Sequence, residues 1–269
     1  MNNIIMKSTV PFSRDTINSI NSKRVMEPIS SKDVFTLNNT SANTMAEAIQ
    51  PATATQPTAN SQQAAPHQAN VSQTPSPVRQ DQIIPQLSNQ VKKGQRVNLF
   101  NGNDTTQVSA CLGWNLINPA CDVDVSAFML GTTGKVIGDD WFVFYGQTES
   151  PDHSTVFSDN CDNDRESISI DLTKLHADVA KIVFVLTINE AVENHLNFSM
   201  IKDAYVRILD NVTGNELVSF MMDEYYDNVN SMMIGELYLH NGTWKFNAIG
   251  NGVAKDLRGL CELYGVQVL

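Results

Sequence analysis

The chain has no apolar run of the eighteen or so residues that a membrane-crossing helix needs. Its start, MNNIIMKSTVPFSRD, lacks the stretch of about 7–15 apolar residues of a secretory signal. A soluble, cytoplasmic protein with no transmembrane segment is expected. Cysteine is sparse: Cys111, Cys121, Cys161 and Cys261 have neither the Cys-x-x-Cys spacing of a zinc site nor the density of a secreted disulfide scaffold, so reduced thiols are expected. The Asn-x-Thr matches at Asn103 and Asn241 then carry no glycan. Paired histidines, a Gly-x-Ser-x-Gly turn and a P-loop are all missing, which removes the common hydrolase and nucleotide-triphosphate chemistries. Gly250 and Gly252 in GNG lack the third glycine of a dinucleotide fingerprint, so a plain turn is expected there. Met221, Met222, Met232 and Met233 suit core filling better than a soft metal site.

Aromatic residues are absent from 36 to 99, and residues 38–90 are built from Asn, Thr, Ser, Ala, Gln and Pro. Such a segment buries too little apolar surface to offset its backbone entropy. Residues 1–90 therefore read as a mostly disordered, tether-like tail, with VPFSRDTINSI and DVFTL as its few apolar patches, and residues 91–269 as the folded domain. Charge divides near the same boundary. Residues 1–93 carry eight Lys and Arg against five Asp and Glu, whereas residues 94–269 carry ten against twenty-four, within a chain of net charge −11. A domain this acidic repels nucleic-acid phosphates and anionic lipid, and its natural partners are cations.

Within the domain, short β-branched and aromatic runs alternate with turn residues. The expected strands are residues 96–100, 107–114, 122–130, 140–146, 166–172, 180–188, 203–209, 216–222, 233–240 and 243–249. Ten strands with little helix between them predict an all-β antiparallel sandwich. Asn241-Gly242 tolerate the positive φ values of a two-residue type I′ turn, so the last two strands form a hairpin. KIVFVLTI is apolar at both parities, which places it mid-sheet with both faces covered. DLRGLCELYG predicts a short C-terminal helix closing one end of the sandwich and stopped by Gly265.

What remains conspicuous is acid. Between residues 122 and 171 lie eleven Asp and Glu against Lys135 and Arg165. Asp122 and Asp124 share a strand face, about 6.6 Å apart, with Val123 and Val125 turned to the core. Asp139, Asp140, Asp152 and the run Asp159 to Glu166 fall in turns that a meander gathers at a sheet end. Hard oxygen ligands from separate loops are what Ca²⁺ takes. An EF-hand loop from Asn160 is excluded, because Arg165 stands at the obligatory glycine and a strand follows instead of a helix. A solvated acidic loop that only aids solubility explains the charge pattern equally well.

The runs CLGWN, CDVDVSAFMLGTTGKV, DDWFVFYGQTESPD, KIVFVLTINEA, NFSMIKDAYVRI and GELYLHNGTWKFNAIGNG resemble, in order and spacing, the TerD family of tellurium-resistance proteins over about residues 90–269. The resemblance implies a β-sandwich that binds calcium through acidic loops in stress and tellurite resistance, without enzymatic activity, acting as a calcium-responsive interaction module that meets other family members. It implies Asp122, Asp124, Asp139, Asp152, Asp159, Asn160, Asp164 and Glu166 as ligands or near-ligands, Asp162 in reserve and Glu190 behind them. A slime-mould branch implies an alternative, cyclic AMP binding, for which Arg207 is one of the few basic residues in the domain. The chain departs from the family pattern at Asn115 (usually Asp), Trp141 (usually an acid), Gly146-Gln147 (usually paired Asn), Asn189-Glu190 (usually His-Asp) and a shortened acidic loop at 159–166. Each swap removes or moves an oxygen, implying weaker calcium binding or one site in place of two. An enzyme using paired carboxylates would need a cleft and one raised carboxyl pKa.

Overall fold

In the strand Val123–Leu130 the odd residues Val123, Val125, Ala127 and Met129 enter one apolar cluster while Phe128 and Leu130 enter another, so apolar surface must cover both sides of it. This strand belongs to a computed structural model that describes residues 81–100, 106–161 and 163–268. The expectations for residues 1–80, and the reserve ligand Asp162, lie outside the described residues.

Eleven strands are described: β1 (Arg96–Asn98), β2 (Gln107–Leu116), β3 (Val123–Leu130), β4 (Phe142–Phe144), β5 (Thr155–Ser158), β6 (Glu166–Asp171), β7 (Lys181–Ile188), β8 (Ile201–Asp210), β9 (Glu216–Met221), β10 (Ser231–His240) and β11 (Thr243–Val253). They pair antiparallel in two sheets, one ordered β1-β11-β10-β7-β3-β4 and the other β5-β6-β2-β8-β9. All ten expected strands are present. The eleventh, β5, is four residues long between polar turns, too short to show a period. The expected strand at 140–146 shrinks to Phe142–Phe144, because Asp139–Trp141 wind into a single 3-10 turn.

The sandwich interior is filled by alternate residues of both sheets, such as Phe184 and Leu186 of β7 from one and Ile168 and Ile170 of β6 from the other. On the outer side of the six-stranded sheet, Val183 and Val185 join Phe128, Phe142 and Phe144 beneath the helix α1 (Leu257–Tyr264), which presents Leu257, Leu260 and Cys261. The β7 strand is thus covered on both faces, as its unbroken apolar run requires. The helix lies on the outer face of that sheet and not across an end of the sandwich. Asp256 caps its start by accepting from Gly259 N at 2.8 Å, and Gly265 ends it at φ 82°. Asn241 and Gly242 join β10 to β11 with φ 52° and 72°, the expected type I′ geometry.

The GNG segment is no separate turn: Gly250 to Gly252 continue β11, and a Cβ on Gly252 would fall 2.5 Å from Val229. Residues 81–90, tail by composition, run against the five-stranded sheet. Gln90 bridges Ser219 of β9 in parallel, and Asn89 bonds Glu216 through both its backbone N and its side chain. At the other end the Asn115 amide grips Gln82 twice, accepting from its N at 2.7 Å and donating to its O at 3.1 Å. Among the described residues, no helix is long and apolar enough to cross a membrane.

Candidate cation site

The acids expected to converge are dispersed into separate surroundings. Asp164 faces β8, where it forms a bidentate pair with Arg207 at 3.0 and 2.7 Å and accepts from the Tyr205 hydroxyl at 2.9 Å. Its charge is balanced by a guanidinium, which a second cation would have to displace. The same pair engages Arg207, the basic residue a cyclic nucleotide would use. Asp152 organises a turn, accepting from Ser150 Oγ at 2.7 Å, Ser154 N at 3.0 Å and His176 N at 2.8 Å. Partial burial works to raise its pKa, but the hydrogen bonds from Ser154, Ser150 and His176 prevail and hold it below its usual value. Asp139 accepts from Gln267 N at 2.8 Å and so ties down the chain after α1. Asp159 and Asn160 are exposed at the loop between β5 and β6, and Glu190 accepts from Asn194 in the turn after β7. Among the described residues no three His, Cys, Asp or Glu gather closely enough to hold a metal by those side chains alone.

Asp122, Asp124 and Glu166 remain, and these three share one neighbour. Burial pushes the Tyr145 hydroxyl well above its usual pKa, and the negative charges of Asp124, Asp122 and Glu166 push it further. Alternation explains the placement. Asp124 follows Val123 and precedes Val125, so it turns away from the sandwich interior, opposite Thr187 of β7 in the register. Glu166 has the parity of Ile168 and Ile170, faces inward, and crosses the sandwich to accept from Val125 N at 2.8 Å.

Beside Asp124 lies a cavity of about 10 Å³, room for one water-sized body, lined by Asp124, Ser126, Tyr145, Thr187, Asn189 and Leu257 among others. Asp124, Ser126 and Thr187 are all buried, and neither the Ser126 Oγ nor the Thr187 Oγ1 has a hydrogen-bond partner. Asn189 is fastened by its backbone N to the Asp122 carbonyl at 2.7 Å. Asp124, Ser126, Thr187 and Asn189 bring carboxylate, hydroxyl and amide groups to one part of this gap, whose remaining wall is Val125, Phe144, Tyr145 and Leu257, and oxygens of these kinds are what a hard cation takes. Ser126, Thr187 and Asn189 were not marked by charge. The signal that finds them is the strand register, which sets Thr187 opposite Asp124.

A model of the TerD domain matches residues 87–264. The chain belongs to the TerD family. Over 189 residues this TerD-domain chain is 35% identical to the tellurium resistance protein TerD of Serratia marcescens, covering 67% of the chain and 98% of that protein. It is 36% identical over 189 residues to the protein YceE of Bacillus subtilis (strain 168), covering 66% of the chain and 98% of the relative. General stress protein 16U of the same organism is 36% identical over 186 residues, with 65% and 96% covered.

Proposed function

We propose that this chain is a calcium-binding member of the TerD family that serves stress or tellurite resistance as a non-catalytic, ion-responsive interaction module. The names of its relatives support the biological setting, and the cavity beside Asp124 supports the ion. The observation that carries the reading is a buried carboxylate facing two buried hydroxyl oxygens without partners around a gap for one small body. In that gap Asp124 is the direct carboxylate, Ser126, Thr187 and Asn189 supply neutral oxygens, and Asp122 and Glu166 add negative field. A bound divalent cation would offset part of the negative field of these acids. Asp139, Asp152, Asp159, Asn160 and Asp164 have no part in this site; their partners or exposure give them other work. This reduction from eight candidates to one small centre agrees with a single site.

The test is a thermal melt in EDTA against one in excess Ca²⁺. Binding to the folded state alone stabilises by roughly 2.7 kcal/mol at a hundredfold excess over Kd, a rise of several degrees for a domain of this size. A melting temperature indifferent to calcium removes the ion from the proposal and leaves only family membership.

A further inference from the structure

Leu257, the first residue of α1, forms part of the wall of the gap beside Asp124. A hard cation such as Ca²⁺ keeps about six to eight oxygen ligands, more side-chain oxygens than Asp124, Ser126, Thr187 and Asn189 carry between them. Water completes such a shell, yet the gap holds one small body and the Phe144 and Leu257 side chains line it with hydrocarbon. One of these walls has to yield. Phe144 sits in β4, stacked on Phe142 with ring centroids 4.6 Å apart, and Val125 lies within the β3 ladder. Leu257 belongs to a helix that residues 254–256 join to β11. The far end of α1 is held at three points: Tyr264 O accepts from Val136 N at 2.9 Å, Leu263 O from Lys135 Nζ at 2.6 Å, and Asp139 from Gln267 N at 2.8 Å. At the near end Ser231 Oγ donates to Lys255 O at 2.6 Å. The near end is thus the freer of the two.

We infer that α1 is the element through which this site is read: with a divalent cation in the gap, the first turn of the helix swings off the outer sheet face, pivoting on its tied far end, and uncovers Leu260 and Cys261. This rests on the reading of the gap as a cation site and names what the ion moves. The linkage is reciprocal, so whatever favours the swung-out helix also tightens the ion. Cys261 makes the movement visible. It is fully buried among Phe128, Val183 and Val185, and burial pushes its thiol up to about 12, so it resists alkylation while α1 is docked.

The experiment is pulse labelling of the full chain with N-ethylmaleimide in EDTA and in excess Ca²⁺, the sites assigned by peptide mass spectrometry, with calcium binding followed in parallel by calorimetry. Calcium is expected to speed alkylation of Cys261 at least about tenfold. Cys111, in the other sheet, should keep its rate. Asp124→Asn is expected to abolish the acceleration. Leu257→Ala leaves room beside the ion and is expected to tighten calcium at least about threefold, because less of the helix has to be moved. Should that variant lose its fold, labelling of the unaltered chain decides. Calcium binding with Cys261 unchanged or slowed, an equal acceleration in Asp124→Asn, or weaker binding by folded Leu257→Ala overturns this inference and leaves the cation site standing. Absence of calcium binding overturns both.

Discussion

Asp124 and Asp164 are both buried carboxylates, yet they are answered differently. Arg207 and Tyr205 satisfy Asp164, whereas Asp124 borders a gap with two unpartnered hydroxyls. Replacing Asp164 with Asn strands a half-buried guanidinium and is expected to cost about 3 kcal/mol, a fall in Tm on the order of 10 °C, while the calcium response persists. Asp124→Asn is expected to do the reverse, abolishing the calcium-dependent rise with little loss of stability in EDTA. Paired melts of the two variants check both. Asp152 gives a pH prediction. Its folded pKa lies below the ordinary aspartate value, so its stabilisation is complete above that ordinary value and is lost as pH falls through the lower, folded one. Acid unfolding of Asp152→Asn and the unaltered chain should therefore differ most at neutral pH and converge in strong acid. None of these distinctions is legible from local sequence. Asp164 and Arg207 are 43 residues apart, and alternation says which face a carboxylate takes but not what stands across from it.

Among elements, the strap at residues 81–91 carries the clearest mechanical consequence. The Asn115 amide serves as both donor and acceptor to the Gln82 backbone, donates to Asp203 at 3.1 Å, and is assisted by a Lys202–Asp81 pair at 2.9 Å. An aspartate there has no N–H to give and would face Asp203 as a like charge. Asn115→Asp, which restores the acid usual at this position in the resemblance, is expected to release residues 81–84. Hydrogen exchange at Gln82 should accelerate by at least about tenfold, with a stability loss of about 1–2 kcal/mol. The element pattern also shows where reading by period works. The β10–β11 hairpin follows from Asn241-Gly242 alone, because few other residue pairs accept φ 52° and 72° without strain. The strap is invisible to the same reading, since its order comes from amide groups distant in the chain.

For the molecule as a whole, the net charge of −11 gives any salt a stabilising effect by screening self-repulsion, and this must be separated from ion binding. With the Debye length reduced to about 8 Å by roughly 0.15 M NaCl, the nonspecific part of a calcium effect should shrink. A rise in Tm on adding millimolar Ca²⁺ that survives this salt, and that equal Mg²⁺ fails to reproduce, is the expected outcome. Thiol chemistry sits at the same scale. All four cysteines are unbridged, and burial pushes Cys111 and Cys261 up to about 12 and Cys121 up to about 11. The folded chain therefore offers little thiolate near neutral pH.

By itself the sequence determined the sandwich, ten of the eleven described strands, and the final hairpin and helix. These are consequences of periodicity and turn chemistry, which act between near neighbours. Tertiary structure alone decided where the helix lies, which acids are neutralised by internal partners, and which buried oxygens are left facing a gap. Those outcomes depend on the meeting of groups from different strands. Backbone register fixes such meetings only after both sheets have closed on their common core.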